Sequence, residues 1–159
     1  MSLSIAATLA IRCLLVVLFF PFSALDKIFN FSGAVDQAKE RIPADSAARL
    51  LIVAGLGVEI LMPLGIVTGV ADRLAAFILA GYCGVTALLW KQFWRPGDFW
   101  RAGHSEGRAL FWDFLKNFSL AGGFLLITFG TSAATVADFI AHPLASSHPY
   151  DFDKVRAPP

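Results

Sequence analysis

The sequence predicts an all-α integral membrane protein, a bundle of four transmembrane helices. Three observations carry that prediction. Hydrophobic residues make up 57 % of the 159 residues and charged residues only 16 %, against roughly 45–50 % and about 25 % in a soluble globular domain. Four apolar runs each come near the length of about 20 residues that crosses a bilayer core about 30 Å thick. An open sheet leaves backbone polar groups unsatisfied in lipid, so each run must be a helix. Mean hydropathy is +0.65, which excludes a disordered chain. A net charge of +1 offers no basic field for nucleic acid.

The first span runs from about Leu3 to Ile28 and is broken only by Arg12 before Asp26. Its Leu14 to Phe20 stretch has the look of a signal-peptide core, with small Ser23-Ala24 behind it. A signal peptide places its basic residues ahead of that core; here a neutral apolar segment precedes Arg12, so the span is expected to be retained. Pro21 lacks a backbone donor and is expected to kink this helix or to mark its exit from the hydrocarbon. The second span runs from about Ala47 to Val70 and contains Glu59. The third, Leu74 to Trp90, has no formal charge. The fourth extends from near Ala109 to about Val136, uncharged after Lys116.

The connections divide into two kinds. A mixed-charge loop, Asn30 to Ser46, follows the first span, while a tight turn at Gly69 to Arg73 makes the second and third spans antiparallel neighbours. Between spans three and four, Lys91 to Trp100 interleaves tryptophan with arginine. That pattern suits the membrane–water interface; an RNA-stacking surface uses the same residue types, but the flanking spans favour the interface. The chain thus divides into a transmembrane domain, 1–140, and a proline-containing tail, 141–159, expected to lack fixed structure unless a partner holds it. Gly65-x-x-x-Gly69 has the spacing of a dimerisation face, with packing inside one bundle as the favoured alternative. A homo-oligomer remains open.

Basic residues beside the spans set orientation. Lys27, Lys39, Arg41, Arg49, Lys91, Arg95, Arg101 and Arg108 gather on one side, and Arg12, Arg73, Lys154 and Arg156 on the other. Both polar loops are therefore expected in the cytoplasm and both termini outside.

Ionisable groups inside the hydrocarbon cost roughly 2.5–3.5 kcal/mol each and need a partner or a cavity. Glu59 lies near the middle of its span, bracketed in depth by Arg12 and Lys116, and is expected to contact one or both. Asp113, Lys116 and Asn117 share a helical face; Arg12, Phe19, Ser23 and Asp26 share another, with Asp26 and Lys27 on the loop side. Two readings stay open. One is a small polar pocket of the kind that takes a quinone, with Glu59 as proton acceptor and Lys116 and Asn117 as donors to a carbonyl. Phe111, Trp112, Phe114 and Phe118 then either wall the ring or face lipid. The other is a buried charge network that holds helix register, since structural pairs perturb titration as catalytic groups do.

Other chemistries are excluded more firmly. Cys13 and Cys83 sit singly in apolar runs, where cysteine acts as a small hydrophobe. His104, His142 and His148 lie outside the spans, which argues against an intramembrane bis-histidine haem. No phosphate-binding loop, dinucleotide fingerprint or His-Glu-x-x-His motif occurs. No metal site and no covalently bound cofactor is expected.

Taken together, these residues resemble the DoxX family of bacterial four-helix membrane proteins over about Ile11 to Ile127. The resemblance rests on Arg12, Ser23-Ala24 and Lys27-Ile28 in the first span, and on Glu59-Ile60-Leu61-Met62-Pro63-Leu64-Gly65 in the second. It continues through Asp72-Arg73-Leu74-Ala75-Ala76, and Lys116-Asn117 followed by Ala121-Gly122-Gly123 is its most specific piece. The family usually has glycine where this chain has Pro21 to Ala24, so that helix is expected to bend differently. The resemblance implies a multi-pass protein of the bacterial inner membrane. Through the thiosulfate:quinone oxidoreductase subunit that gave the family its name, it also implies an accessory subunit of a quinone-linked redox assembly. With no intramembrane histidine or paired cysteine, the electrons would have to come from partner subunits bearing flavin, haem or metal. The competing expectation is a non-enzymatic scaffold or a small-molecule permeation protein in the lipid bilayer.

Overall fold

The computed structural model describes residues 3–130 and 133–151, the side chains of 133 and 134 excepted. Within them the chain forms α1 (Leu3–Val16), α2 (Phe20–Phe29), α3 (Phe31–Lys39), α4 (Asp45–Thr68), α5 (Asp72–Trp90), α6 (Glu106–Phe129) and α7 (Ala133–Ala141), with no strand among the described residues. Four stretches are long and apolar enough to cross a membrane: Leu3–Phe29, Asp45–Thr68, Asp72–Trp90 and Glu106–Phe129.

Their outer faces carry Leu14, Leu18, Phe22, Leu61 and Leu126, all exposed, which is how a bundle solvated by acyl chains should look. The first span is not one helix. Pro21 sits in the first turn of α2 and cannot donate to the carbonyl of Val17, so α1 ends at Val16 and the chain restarts at Phe20. Pro63 lies inside α4 and in the same way leaves the carbonyl of Glu59 without its helical donor.

Antiparallel α4 and α5 meet through the expected tight turn. Gly69 closes α4 at φ 79°, a left-handed conformation open to glycine at no steric cost. Gly65 faces its own chain: a Cβ there would lie 3.0 Å from Ala75 Cβ, so the glycine pair serves packing inside one bundle. Next to α5 lies α6, and α1 and α2 lie against α4, reaching α6 through Phe20 and Phe124, whose rings are 5.8 Å apart. Val16, Phe20, Ile66, Leu79, Cys83 and Phe124 form the centre of the core.

Three segments depart from the sequence-based expectation. The loop after the first span contains α3, which lays Val35 and Ala38 on Ala48 and Ile52 of α4. The fourth span stops at Phe129 rather than Val136; Gly130 turns the chain and α7 folds back, burying Phe139 against Phe77 and Phe129. The beginning of the tail, through Asp151, is ordered across the α4–α5 turn, where the Tyr150 hydroxyl donates to the carbonyl of Val67. Residues 152–159, with Lys154 and Arg156, lie outside the described residues.

The bundle therefore has two unlike ends. One, the terminal end, carries the start of α1, the α4–α5 turn and α7. The other, the loop end, carries α3, residues 91–105 and all four tryptophans.

Candidate functional site

Glu59 is 1 % exposed, near the middle of α4. A rise of about 1.5 Å per residue puts it about 21 Å from the start of that helix. Its partners come from two other helices. Lys27 Nζ donates to both carboxylate oxygens at 2.7 and 2.9 Å, Ser23 Oγ donates to Oε1 at 2.9 Å, and the Tyr82 hydroxyl donates to Oε1 at 2.8 Å. Ser23 and Lys27 stand four residues apart on α2, so they share one face, and Lys27 Nζ also donates to Ser23 Oγ at 2.7 Å.

This corrects the expected pairing of Glu59 with Arg12 or Lys116. Arg12 is held at the terminal end by the carboxylate of Asp72 at 2.7 Å and by the carbonyl of Ile66 at 2.7 Å. Lys116 is largely exposed, 3.4 Å from Asp113; its long side chain runs outward as lysine stems do at a membrane boundary. Asp113 also meets Lys91 at 3.1 Å. Asn117 donates to the carbonyl of Asp113 at 2.9 Å. Of the polar residues singled out from sequence, Glu59, Lys27, Asp26 and Asn117 line one cavity, whereas Arg12, Asp113 and Lys116 do not.

That cavity measures about 590 Å³ and runs from Glu59 towards the loop end, where Gly33, Ala34 and Gln37 of α3 and Lys91 also border it. Its size falls within the roughly 300–1,000 Å³ of small-molecule sites, which are mostly apolar with a few convergent polar groups. Phe20 and Ile52 supply apolar wall, and Trp90 borders it with an indole N–H that is buried and has no hydrogen-bond partner. Phe111, Trp112, Phe114 and Phe118 are not among the lining residues. Among the described residues no three His, Cys, Asp or Glu side chains are grouped to hold a metal ion.

The sequence reasoning missed Tyr82, Ser23 as a partner, and the whole acid partner of Arg12. The legible signals were the Ser23–Lys27 spacing and a lone phenol inside an otherwise apolar span.

No curated protein and no solved structure matches the chain. A family model does: it matches DoxX over residues 7–92, which takes in Arg12, Ser23, Lys27, Glu59, Asp72 and Tyr82. The Lys116 to Gly123 segment, the most specific piece of the resemblance, lies beyond the matched residues. With more than half its length matched, and with four stretches long and apolar enough to cross a membrane, this chain belongs to the DoxX family.

Proposed function

We propose that the bundle is an accessory membrane subunit of a quinone-linked redox assembly and that the Glu59 cavity receives the quinone head group. One observation carries this reading: a buried carboxylate and three side-chain donors converge on the wall of a cavity large enough for a ring, inside a membrane-spanning bundle. A quinone carbonyl is an acceptor, and Lys27, Tyr82 and Asn117 are among the donors in the cavity wall, beside Ser23 and the unpartnered indole N–H of Trp90. Lys27 and Tyr82 now spend their protons on Glu59, so a carbonyl would compete with the carboxylate for them. Glu59 is the group suited to hold a proton next to the head group. Reduction of a quinone to a quinol takes two electrons and two protons; a partner subunit bearing flavin, haem or metal would supply the electrons. The excess of basic residues at the loop end supports an inner-membrane orientation with that end in the cytoplasm.

A second reading has its own support. Both oxygens of Glu59 are satisfied within the protein, which is what a non-enzymatic scaffold with a register-setting pair requires. Purification in mild detergent, with mass spectrometry of bound quinone and of co-purifying chains, separates the two. The redox reading expects quinone in the wild type and several-fold less in Lys27→Met at unchanged helicity. A wild type that carries neither quinone nor a redox partner establishes the scaffold.

A further inference from the structure

The loop between α5 and α6 is a tandem repeat. Phe93-Trp94-Arg95-Pro96-Gly97-Asp98 is followed directly by Phe99-Trp100-Arg101-Ala102-Gly103-His104, the same residue types at the first, second, third and fifth positions. The two copies also share a conformation. Gly97 and Gly103 both take positive φ, 71° and 81°. The Arg95 N–H donates to the carbonyl of Gln92 at 3.0 Å, and the Arg101 N–H donates to that of Asp98 at 2.9 Å. Each phenylalanine stands edge-on to the tryptophan after it, with centroids 5.0 Å apart in one copy and 4.8 Å in the other.

The repeat sorts its residues by direction. Phe93 and Phe99 turn inward and both pack on Phe111 of α6, at 5.0 and 5.3 Å. Trp94 and Trp100 are 52 % and 91 % exposed, and Arg95 and Arg101 are exposed beside them. Neither guanidinium meets a carboxylate among the described residues. The nearest acid in the repeat, Asp98, is committed elsewhere: it accepts the N–H groups of Glu106 and Gly107 at 2.8 Å each and so caps α6. Arg108 staples the second copy by donating to the carbonyls of Phe99, Arg101 and Gly103. The outcome is two rigid turns, each presenting an indole next to an uncompensated positive charge. They sit where α5 leaves the membrane and α6 enters it.

The geometry points to a lipid-binding surface: each Trp–Arg pair takes the head group of an anionic phospholipid, the guanidinium on the phosphate and the indole against the glycerol and upper acyl region. A planar guanidinium matches phosphate oxygens bidentately, and tryptophan prefers the head-group level because its ring is apolar with one polar edge. The occupant is a lipid rather than a free phosphate because an exposed indole beside each arginine gains nothing from a soluble ion. It is a lipid rather than a nucleic acid because the loop is tied at both ends to membrane spans.

Native mass spectrometry of the detergent-purified protein titrated with phosphatidylglycerol or phosphatidylcholine tests this. An arginine near an anionic surface contributes enough for about a fivefold change in affinity. Arg95→Gln and Arg101→Gln should each weaken phosphatidylglycerol binding about fivefold, and the double variant should lose both tight adducts. Arg49→Gln, an equal change of charge at the same end, should leave them in place. Phosphatidylcholine bound as tightly as phosphatidylglycerol would overturn the proposal. So would wild-type adducts in the double variant, an equal loss in Arg49→Gln, or displacement of the lipid by millimolar inorganic phosphate or by an RNA oligonucleotide.

Discussion

Two buried acids, Glu59 and Asp72, occupy the same chain and are treated differently by the fold. Both are almost fully covered, at 1 % and 0 % exposure, and each holds a cation at 2.7 Å. Asp72 is tied into the backbone. Its Oδ1 accepts the Ser147 N–H at 2.8 Å and its Oδ2 accepts the Ser147 hydroxyl, while Arg12 on its far side donates to the carbonyl of Ile66 and to Ser147 Oγ. Glu59 is held only by side chains, Lys27, Ser23 and Tyr82, beside empty volume. Groups of the first kind cannot move without unfolding the turn they fasten. Groups of the second kind can rotate and exchange partners. Burial alone therefore does not separate a fastening from a site, whereas the nature of the partners and the adjoining space do.

Loss of the acids themselves puts this division under the greatest stress. Asp72→Ala leaves Arg12 buried without its counter-charge, and removal of one partner of such a pair costs about 3–5 kcal/mol. It should lower the melting temperature of the purified protein more than any change at Glu59, Ser147, Asn117 or Asp98. Glu59→Gln should cost less, about 1–3 kcal/mol, because the Lys27 side chain is 22 % exposed and has a path towards the loop end. It should still exceed Glu40→Gln, a change on the polar loop away from either buried acid. Thermal melts of the three variants decide the order. If Glu59→Gln melts with Glu40→Gln, the pair contributes nothing to the fold; if it melts below Asp72→Ala, the division between fastening and site fails.

Ser147→Ala probes the fastening alone. It removes one hydroxyl shared by Arg12 and Asp72 and should cost about 1–2 kcal/mol while leaving quinone occupancy of the cavity as in the wild type. Asn117→Leu should do the reverse, lowering occupancy with little change in melting temperature, since its amide otherwise donates only within α6. Identical occupancy in the two variants would remove Asn117 from the proposed site.

The mildest change belongs to Asp98, outside both regions. Donation from Gly107 N–H, with that of Glu106, holds its carboxyl below the ordinary value of 3.8. A group depressed on folding adds stability above its unfolded value, and that contribution is lost as the pH falls through the folded one. Asp98→Asn should thus lower stability slightly at neutral pH, lose the fall below about pH 4 that Asp98 contributes, and converge with the wild type in acid, which thermal melts across about pH 2–7 would check.

The four spans, the tight α4–α5 turn and the asymmetry between the ends were legible in the chain before any packing was known. Each follows from local quantities: the length of an apolar run, the spacing of glycines, the position of arginines and tryptophans along the chain. The same reading marked Arg12, Glu59 and Lys116 as charges that need company in lipid and left Lys27 on the loop side, because depth along a span is readable from the sequence and the neighbour is not. Their actual partners came from the packing of the helices. The break at Pro21 separates α2 from α1 and carries Lys27, rather than Arg12, to Glu59, while Asp72, the first residue of the third long helix, takes the arginine at its own depth. Lys116 shares a depth range with Glu59 but lies on an exposed face of α6. Pairing across helices depends on the rotation of each helix about its axis and on which helices are neighbours, and a one-dimensional pattern constrains both only weakly. The cavity belongs wholly to that second category, since empty space exists only between elements already in place.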